Sequence, residues 1–362
     1  MDGNLLAAGA PGLDTTGSVE TFSRSASSGA WQRLNTISPA NGDDDVGDFG
    51  AAVDISVGSL RVGLVVGAPT TLDTQGFQIS FGAAYYYELT GASWTLLGST
   101  GRLQPPISAL TAGGEYGSAV ALAADVRRMA VGGPSISLGT NNIDNGQVFV
   151  YDYSPGDGSL VLQSTLDGPD SGGRFGASIA LTRDGSRLLV GSPGASDGAT
   201  PGSIYYYEWD AGLNDWSLLF AIPGETAVEN TGTTVAIVSD DGETIATGGP
   251  AFGNNQGVVR VYRRSISTMN FWIQLGGEIV GEPGDFLGTS LTGFGGNGIV
   301  VGTASSSTFK AYEYDDRVDD WALVSTGPPL GSNVASLAIS DSGDVGVGLD
   351  NESVVFYGLR VQ

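Results

Sequence analysis

The chain has 362 residues, of which 58 are Gly, 15 are Pro and 41% are hydrophobic, and it contains neither Cys nor His. That removes disulfides, thiol nucleophiles, thiolate or imidazole metal ligands, and the side chain most used for proton transfer near neutrality. The net charge is −24 and Lys310 is the only lysine, so nucleic acid and anionic lipid surfaces are poor partners.

The N-terminal MDGNLLAAGAPG has neither a basic start nor an apolar core of signal-peptide length. It opens inside a repeat, so the sequence is expected to be a portion of a longer protein. No stretch approaches the roughly 20 apolar residues of a membrane span. The repeat is clearest from Arg174 to Gly194, RFGASIALTRDGSRLLVGSPG, continued by GSIYYYEWD and DWSLLFAI. Phe175-Gly176 opens an alternating run through Leu181, Asp184-Gly185 reverses the chain, and Leu188 to Val190 forms a second run that Pro193 stops. Gly202 admits a third strand, and Trp216 to Ile222 reads as a fourth. Four short antiparallel strands joined by tight turns predict one blade.

In chain order, second strands end at Gly9, Gly67, Gly132, Gly191, Gly248, Gly302 and Gly348. Third strands place an aromatic at Phe22, Tyr87, Tyr151, Tyr207, Tyr262, Tyr312 and Tyr357. The residue two earlier varies: Glu20, Tyr85, Phe149, Tyr205, Arg260, Lys310 and Val355. The constant ring is expected in the packing layer between blades, with its variable neighbour nearer the rim. Trp31, Trp94, Trp216, Trp272 and Trp321 begin fourth strands, where each is expected to cover a blade edge and keep its N–H in water. First strands follow Phe49-Gly50, Tyr116-Gly117, Phe175-Gly176, Thr231-Gly232, Phe286-Leu287-Gly288 and Ser332-Asn333, six in all, and fourth strands also number six.

These columns predict an all-β, seven-bladed β-propeller of four-stranded antiparallel blades with incomplete terminal blades. Residues 1–362 read as one domain, with blades at 1–46, 47–112, 113–171, 172–228, 229–283, 284–331 and 332–362. An unfilled strand position can accept a strand, so the end blades are expected to be completed by flanking sequence or by self-association.

The Phe-Gly opening, the Gly-Ala-Pro about eighteen residues later and the Gly-then-aromatic strand resemble the FG-GAP repeat of integrin α-type propellers. Trp272 to Thr292 is similar to a variant of that repeat found in microalgal cell-surface proteins. The resemblance implies an extracellular or cell-surface β-propeller used for recognition, adhesion or matrix building, without catalysis. Its expected role is a structural module binding protein or glycan through propeller-face loops, as a unit of a surface filament or matrix. FG-GAP blades that bind calcium carry a DxDxDG-like loop between their first two strands. The corresponding loops here, such as Asp184-Gly185-Ser186 and Asp240-Asp241-Gly242-Glu243, lack that ligand set and read as hairpin turns, so no cofactor is carried over. Weak calcium binding is left to Asp43, Asp44, Asp45 and Asp48, and to Asp315, Asp316, Asp319 and Asp320. The sequon Asn351-Glu352-Ser353 permits glycosylation in a secretory setting.

The competing reading is a carbohydrate-active glycoside hydrolase with a central carboxylate site. Glu225, Glu229, Glu282 and Asp285 sit in loops leading to first strands, and Ser239 to Thr244 faintly resembles a sialidase Asp-box. Nothing in the sequence shows two acids converging, so no catalytic residue is assigned and a non-enzyme is expected.

Overall fold

The pairs Phe49-Gly50, Tyr116-Gly117, Phe175-Gly176 and Thr231-Gly232 each make a turn before the strand begins. The N–H groups of Ala51, Ser118, Ala177 and Thr233 donate to the carbonyls of Asp48, Glu115, Arg174 and Asn230 at 2.9–3.1 Å. The third residue of each turn, Gly50, Gly117, Gly176 or Gly232, has φ between 89° and 98°. A type II turn demands that angle, and glycine supplies it without steric cost.

The chain is a seven-bladed, all-β propeller in the computed structural model. It describes residues 4–12, 16–39, 46–72, 80–98, 101–106, 113–124, 127–139, 143–194, 200–265, 271–305, 307–340, 343–351 and 353–359. The first sheet holds Leu5–Ala10, Ser18–Arg24 and Trp31–Ile37, with no inner strand among the described residues. The second has Ala52–Val57, Val62–Ala68, Ala83–Thr90 and Ser93–Leu96; the third has Ala119–Leu122, Arg128–Gly133, Gln147–Ser154 and Ser159–Asp167. The fourth runs through Ser178–Leu181, Arg187–Ser192, Ser203–Asp210 and Asp215–Pro223. The fifth has Thr234–Ile237, Thr244–Gly249, Val258–Ser265 and Phe271–Gln274, with Ile279–Val280 added to its third strand. The sixth has Ser290–Phe294, Gly298–Gly302, Phe309–Asp315 and Asp320–Thr326; the seventh has Val334–Ile339, Asp344–Leu349 and Val354–Gly358, with no outer strand among the described residues.

Contacts divide the chain into two compact units, 1–192 with 207–219, and 193–206 with 220–362. Within each unit the same pair of glycines lets consecutive blades approach. A Cβ on Gly9, Gly67 or Gly132 would collide with the backbone carbonyl of Gly50, Gly117 or Gly176 in the next blade; in the second unit Gly248 stands against Gly288 in the same way. The glycine of Gly-Ala-Pro and the glycine of Phe-Gly are thus two sides of one backbone contact. In the first unit the core gathers Phe49, Leu64, Val66 and Tyr85 in one cluster, and Tyr116, Val131, Phe149 and Tyr151 in another. Edge-to-face ring pairs hold them, Phe49 with Tyr85 at 5.4 Å and Tyr116 with Phe149 at 5.3 Å. The second unit packs Val259, Val261, Leu287, Ile299 and Val301 in one cluster and Phe309, Val345 and Val347 in another.

Two expectations need correction. Four of the seven variable third-strand residues are not the more exposed neighbours expected: Tyr85, Phe149, Tyr205 and Arg260 are buried as deeply as the constant rings, whereas Glu20, Lys310 and Val355 are half-buried. Tyr85 and Phe149 pack against the turn aromatics Phe49 and Tyr116, which cover them. Nor do the fourth-strand indoles keep their N–H groups in water throughout. Trp94 Nε1 donates to Thr21 Oγ1 at 3.1 Å and Trp321 Nε1 to the Leu275 carbonyl at 2.7 Å, each reaching the preceding blade.

Asp54, on the inner strand of the second blade, reaches the third: its Oδ2 accepts the Leu122 N–H at 2.7 Å. Burial pushes its carboxyl up to about 7, against the pull of the Leu122 and Ile55 N–H groups. A raised carboxyl means that the fold keeps a proton which the unfolded chain releases near 3.8. Stability should therefore fall as pH rises from about 4 to about 7 and level off above that, by an amount on the order of a few kcal/mol. Asp54→Asn should raise the melting temperature at alkaline pH and leave it unchanged in acid; an equal offset at both would refute the assignment.

Candidate functional site

The fifth and sixth blades break the ring-on-ring rule, and they break it in the same way. In the second, third and fourth blades a glycine (Gly47, Gly114, Gly173) stands two residues before the turn aromatic (Phe49, Tyr116, Phe175), and an aromatic (Tyr85, Phe149, Tyr205) occupies the variable third-strand position. In the fifth blade the glycine becomes Glu229, the turn aromatic Thr231 and the third-strand ring Arg260; in the sixth they become Asp285, Leu287 and Lys310. A packed ring pair has been exchanged for an acid on the loop and a base on the strand.

Arg260 and Glu229 meet in the interior with side chains 1% and 0% exposed, Nη1 lying 2.9 Å from Oε1. Glu229 also accepts from the Thr231 hydroxyl and from the N–H groups of Glu225 at 2.8 Å and Thr226 at 3.2 Å, so the same carboxylate shapes its own loop. Burial pushes the Glu229 carboxyl up, but Thr231, Arg260 and the Glu225 N–H together outweigh it and hold the group below its ordinary range. The pairing of Ile279 with Val259 brings Glu278 beside Arg260, whose Nε donates to Glu278 Oε1 at 2.6 Å. Glu225 lies 3.8 Å from the same nitrogen. Glu278 is 31% exposed and Glu225 is 63% exposed. One sealed guanidinium therefore fixes three carboxylates, of which one is buried and two face water.

Tyr262, two residues along the strand, feels the same charges. Burial is the main reason its hydroxyl is pushed up to about 12; Arg260 pulls it down while Glu225, Glu229 and Glu278 push it further up. It stays a neutral hydrogen-bond donor at physiological pH. In the sixth blade Lys310 Nζ stands 3.4 Å from Asp285 Oδ2, and Asp285 accepts the Glu282 N–H at 3.1 Å. Tyr312 is raised by burial and then by the Asp285 carboxylate.

Of the loop acids singled out from the sequence, Glu225 and Glu229 thus converge on Arg260, and Asp285 pairs with Lys310, whereas the Glu282 side chain is exposed. Arg260, Lys310 and Glu278 were missed as site residues. The available signal was the paired substitution of glycine by acid and ring by base in two successive repeats. The metal candidates Asp48, Asp315, Asp319 and Asp320 have other partners. Asp43, Asp44 and Asp45 lie outside the described residues. Asp48 accepts from Thr70, Asp315 holds Arg317, Asp319 takes the Tyr314 hydroxyl, and Asp320 caps the Gly277 and Trp321 N–H groups. Among the described residues no group of three or more acids could hold a metal ion. Asp184 and Asp241 accept hydrogen bonds within their own turns, and the Asp-box-like segment is one of those turns.

No protein-family model and no curated protein sequence matches the chain. Solved structures do. A periplasmic gluconolactonase from Pseudomonas aeruginosa is 15% identical over 98% of this chain and 91% of its own, with a TM-score of 0.66. A Bacteroides fragilis protein assigned as a 6-phosphogluconolactonase is 11% identical over 98% and 90%, with a TM-score of 0.64. Its Bacteroides uniformis counterpart is 11% identical over 89% and 81%, with a TM-score of 0.59. The likeness establishes the propeller. It also corrects the expectation of a non-catalytic adhesive or structural module: these neighbours bear the names of lactonases, not of integrin-type FG-GAP propellers. The physical reason is that the motif carrying that expectation is blade-packing chemistry. Its glycines answer a turn angle and a backbone contact, which say nothing about a ligand. No helix among the described residues is long and apolar enough to cross a membrane.

Proposed function

We propose that the chain is a carbohydrate-active hydrolase that opens a neutral sugar lactone of the gluconolactone kind at the carboxylates around Arg260. The observation that carries this reading is the unequal exposure of three acids on one guanidinium, with Glu229 locking the cation from inside and Glu278 and Glu225 presenting oxygens to solvent. Such an arrangement suits general-base activation of water. Water attacks the lactone carbonyl carbon and gives its proton to Glu278. The tetrahedral oxyanion draws on the neutral Tyr262 hydroxyl, the carbon–oxygen ring bond breaks, and the proton returns to the departing alkoxide. The product is the open hydroxy acid. Arg260 is too deeply sealed to touch substrate, so its part is to position Glu278.

Between the phosphorylated and unphosphorylated lactones after which the neighbours are named, charge favours the second. A chain of net charge −24 with clustered acids at the site repels a phosphate. With this reading goes a location outside the cytoplasm, which the periplasmic neighbour supports.

The test is proton release from D-glucono-1,5-lactone in a pH-stat, with the buffer blank subtracted. Wild-type protein should accelerate hydrolysis. Glu278→Gln should lose roughly 10²–10⁴-fold, and the 6-phospho lactone should be the poorer substrate. A wild-type rate equal to the blank would overturn the proposal.

A further inference from the structure

Between the second and third strands of the fifth blade the backbone does something rare. Gly253, Asn254 and Asn255 have successive φ values of +55°, +58° and +61°, so three consecutive residues after Phe252 are left-handed. Non-glycine residues avoid that region singly, and runs are disfavoured by roughly 1–2 kcal/mol per residue. Asparagine tolerates it best. Such strain persists only where the surroundings impose it.

Here both flanks are held. The Phe252 ring lies against the Arg260 guanidinium, 5.7 Å from centroid to Cζ. At the other end the Asn255 carbonyl accepts the Phe286 N–H at 2.8 Å, next to Asp285, and the Gln256 carbonyl accepts the Leu287 N–H at 3.0 Å. The turn therefore bridges the two charged sites of the fifth and sixth blades. Asn254 and Asn255 are exposed, and their side chains make no hydrogen bond within the described residues.

We infer that this left-handed turn is the specificity element of the site, and that the side-chain amides of Asn254 and Asn255 bind the hydroxyl groups of a neutral polyol ring held over Glu278 and Glu225. A primary amide offers two donors and an acceptor, which matches vicinal hydroxyls and, unlike a further carboxylate or a lysine, adds no charge. The inference rests on the proposed hydrolase reading for its substrate class but not for its geometry.

The experiment uses Asn254→Gly, Asn255→Gly and the double exchange, because glycine removes the amide while accepting the same φ. The double variant should keep its melting temperature and its kcat within about twofold, while KM for gluconolactone rises about tenfold. An unchanged KM overturns the inference, as does a fall in kcat with KM constant. The neutral, non-hydrolysable D-gluconolactam separates the two claims. If calorimetry shows that wild type binds it and the double glycine variant binds about tenfold more weakly, the subsite stands even should turnover be absent and the lactonase reading fail. Equal binding by both proteins removes the subsite whatever the activity.

Discussion

Arg260→Leu should lower the unfolding free energy by about 3–5 kcal/mol, because Glu229 is then left charged and buried with its guanidinium gone. Glu229→Leu should do comparable damage from the other side. The informative variant is the triple exchange E229G/T231F/R260Y, which rewrites the fifth blade in the idiom of the second, where Gly47, Phe49 and Tyr85 occupy those places. Replacing a buried ion pair by well-packed apolar groups is commonly neutral or stabilising. The triple variant should therefore recover to within about 1–2 kcal/mol of wild type while losing lactone hydrolysis, since Glu278 no longer has the Nε donor that positions it. Urea unfolding and the pH-stat assay, run on the same preparations, check both halves. pH supplies a further check. The fold holds Glu229 below its ordinary value of 4.5, so the contribution of the pair is complete above that value and is lost as pH falls through the folded pKa. The deficit of Arg260→Leu should accordingly shrink in acid. A triple variant as unstable as the single ones would mean that the surrounding packing, rather than the charge, fixes this blade.

That contrast between blades also separates what could be read from the sequence from what could not. The blades were legible because their marks are steric and local. Gly50 answers a positive φ, Gly67 answers a carbonyl, and the inner and outer strands could be counted as six each because such marks recur at every repeat. The site was illegible for the opposite reason. Glu229 and Arg260 stand 31 positions apart, and neither is unusual alone in so acidic a chain. Glu225, Glu229 and Asp285 could be noticed as loop acids, but their convergence on Arg260 and Lys310 is a tertiary fact. Only the columns held a trace of it, in the joint loss of glycine and ring. The left-handed turn left less still, since Gly-Asn-Asn reads as an ordinary loop until Phe252 and Phe286 are seen to fasten its two ends. The functional expectation failed through the same asymmetry, because it was inferred from the residues that pack blades rather than from the residues that depart from them.

The packing marks themselves yield the other large effect. Gly67→Ala should lose more than about 4 kcal/mol or fail to accumulate as folded protein. The new Cβ would fall 1.9 Å from the Gly117 carbonyl oxygen and 2.9 Å from its carbon, and both obstacles are backbone. Relief would require the second and third blades to separate, exposing Tyr116, Val131 and their neighbours to water. Gly132→Ala meets the Gly176 carbonyl in the same way and should behave alike. Gly156→Ala supplies the contrast: a Cβ there meets nothing within 4 Å and φ is not positive, so the change should be neutral or stabilise by up to about 1 kcal/mol through the unfolded chain. Urea midpoints of the three variants decide the matter. Were Gly67→Ala to unfold with the wild-type midpoint, the blades would not meet backbone to backbone, and the recurrence of both glycines would need another cause.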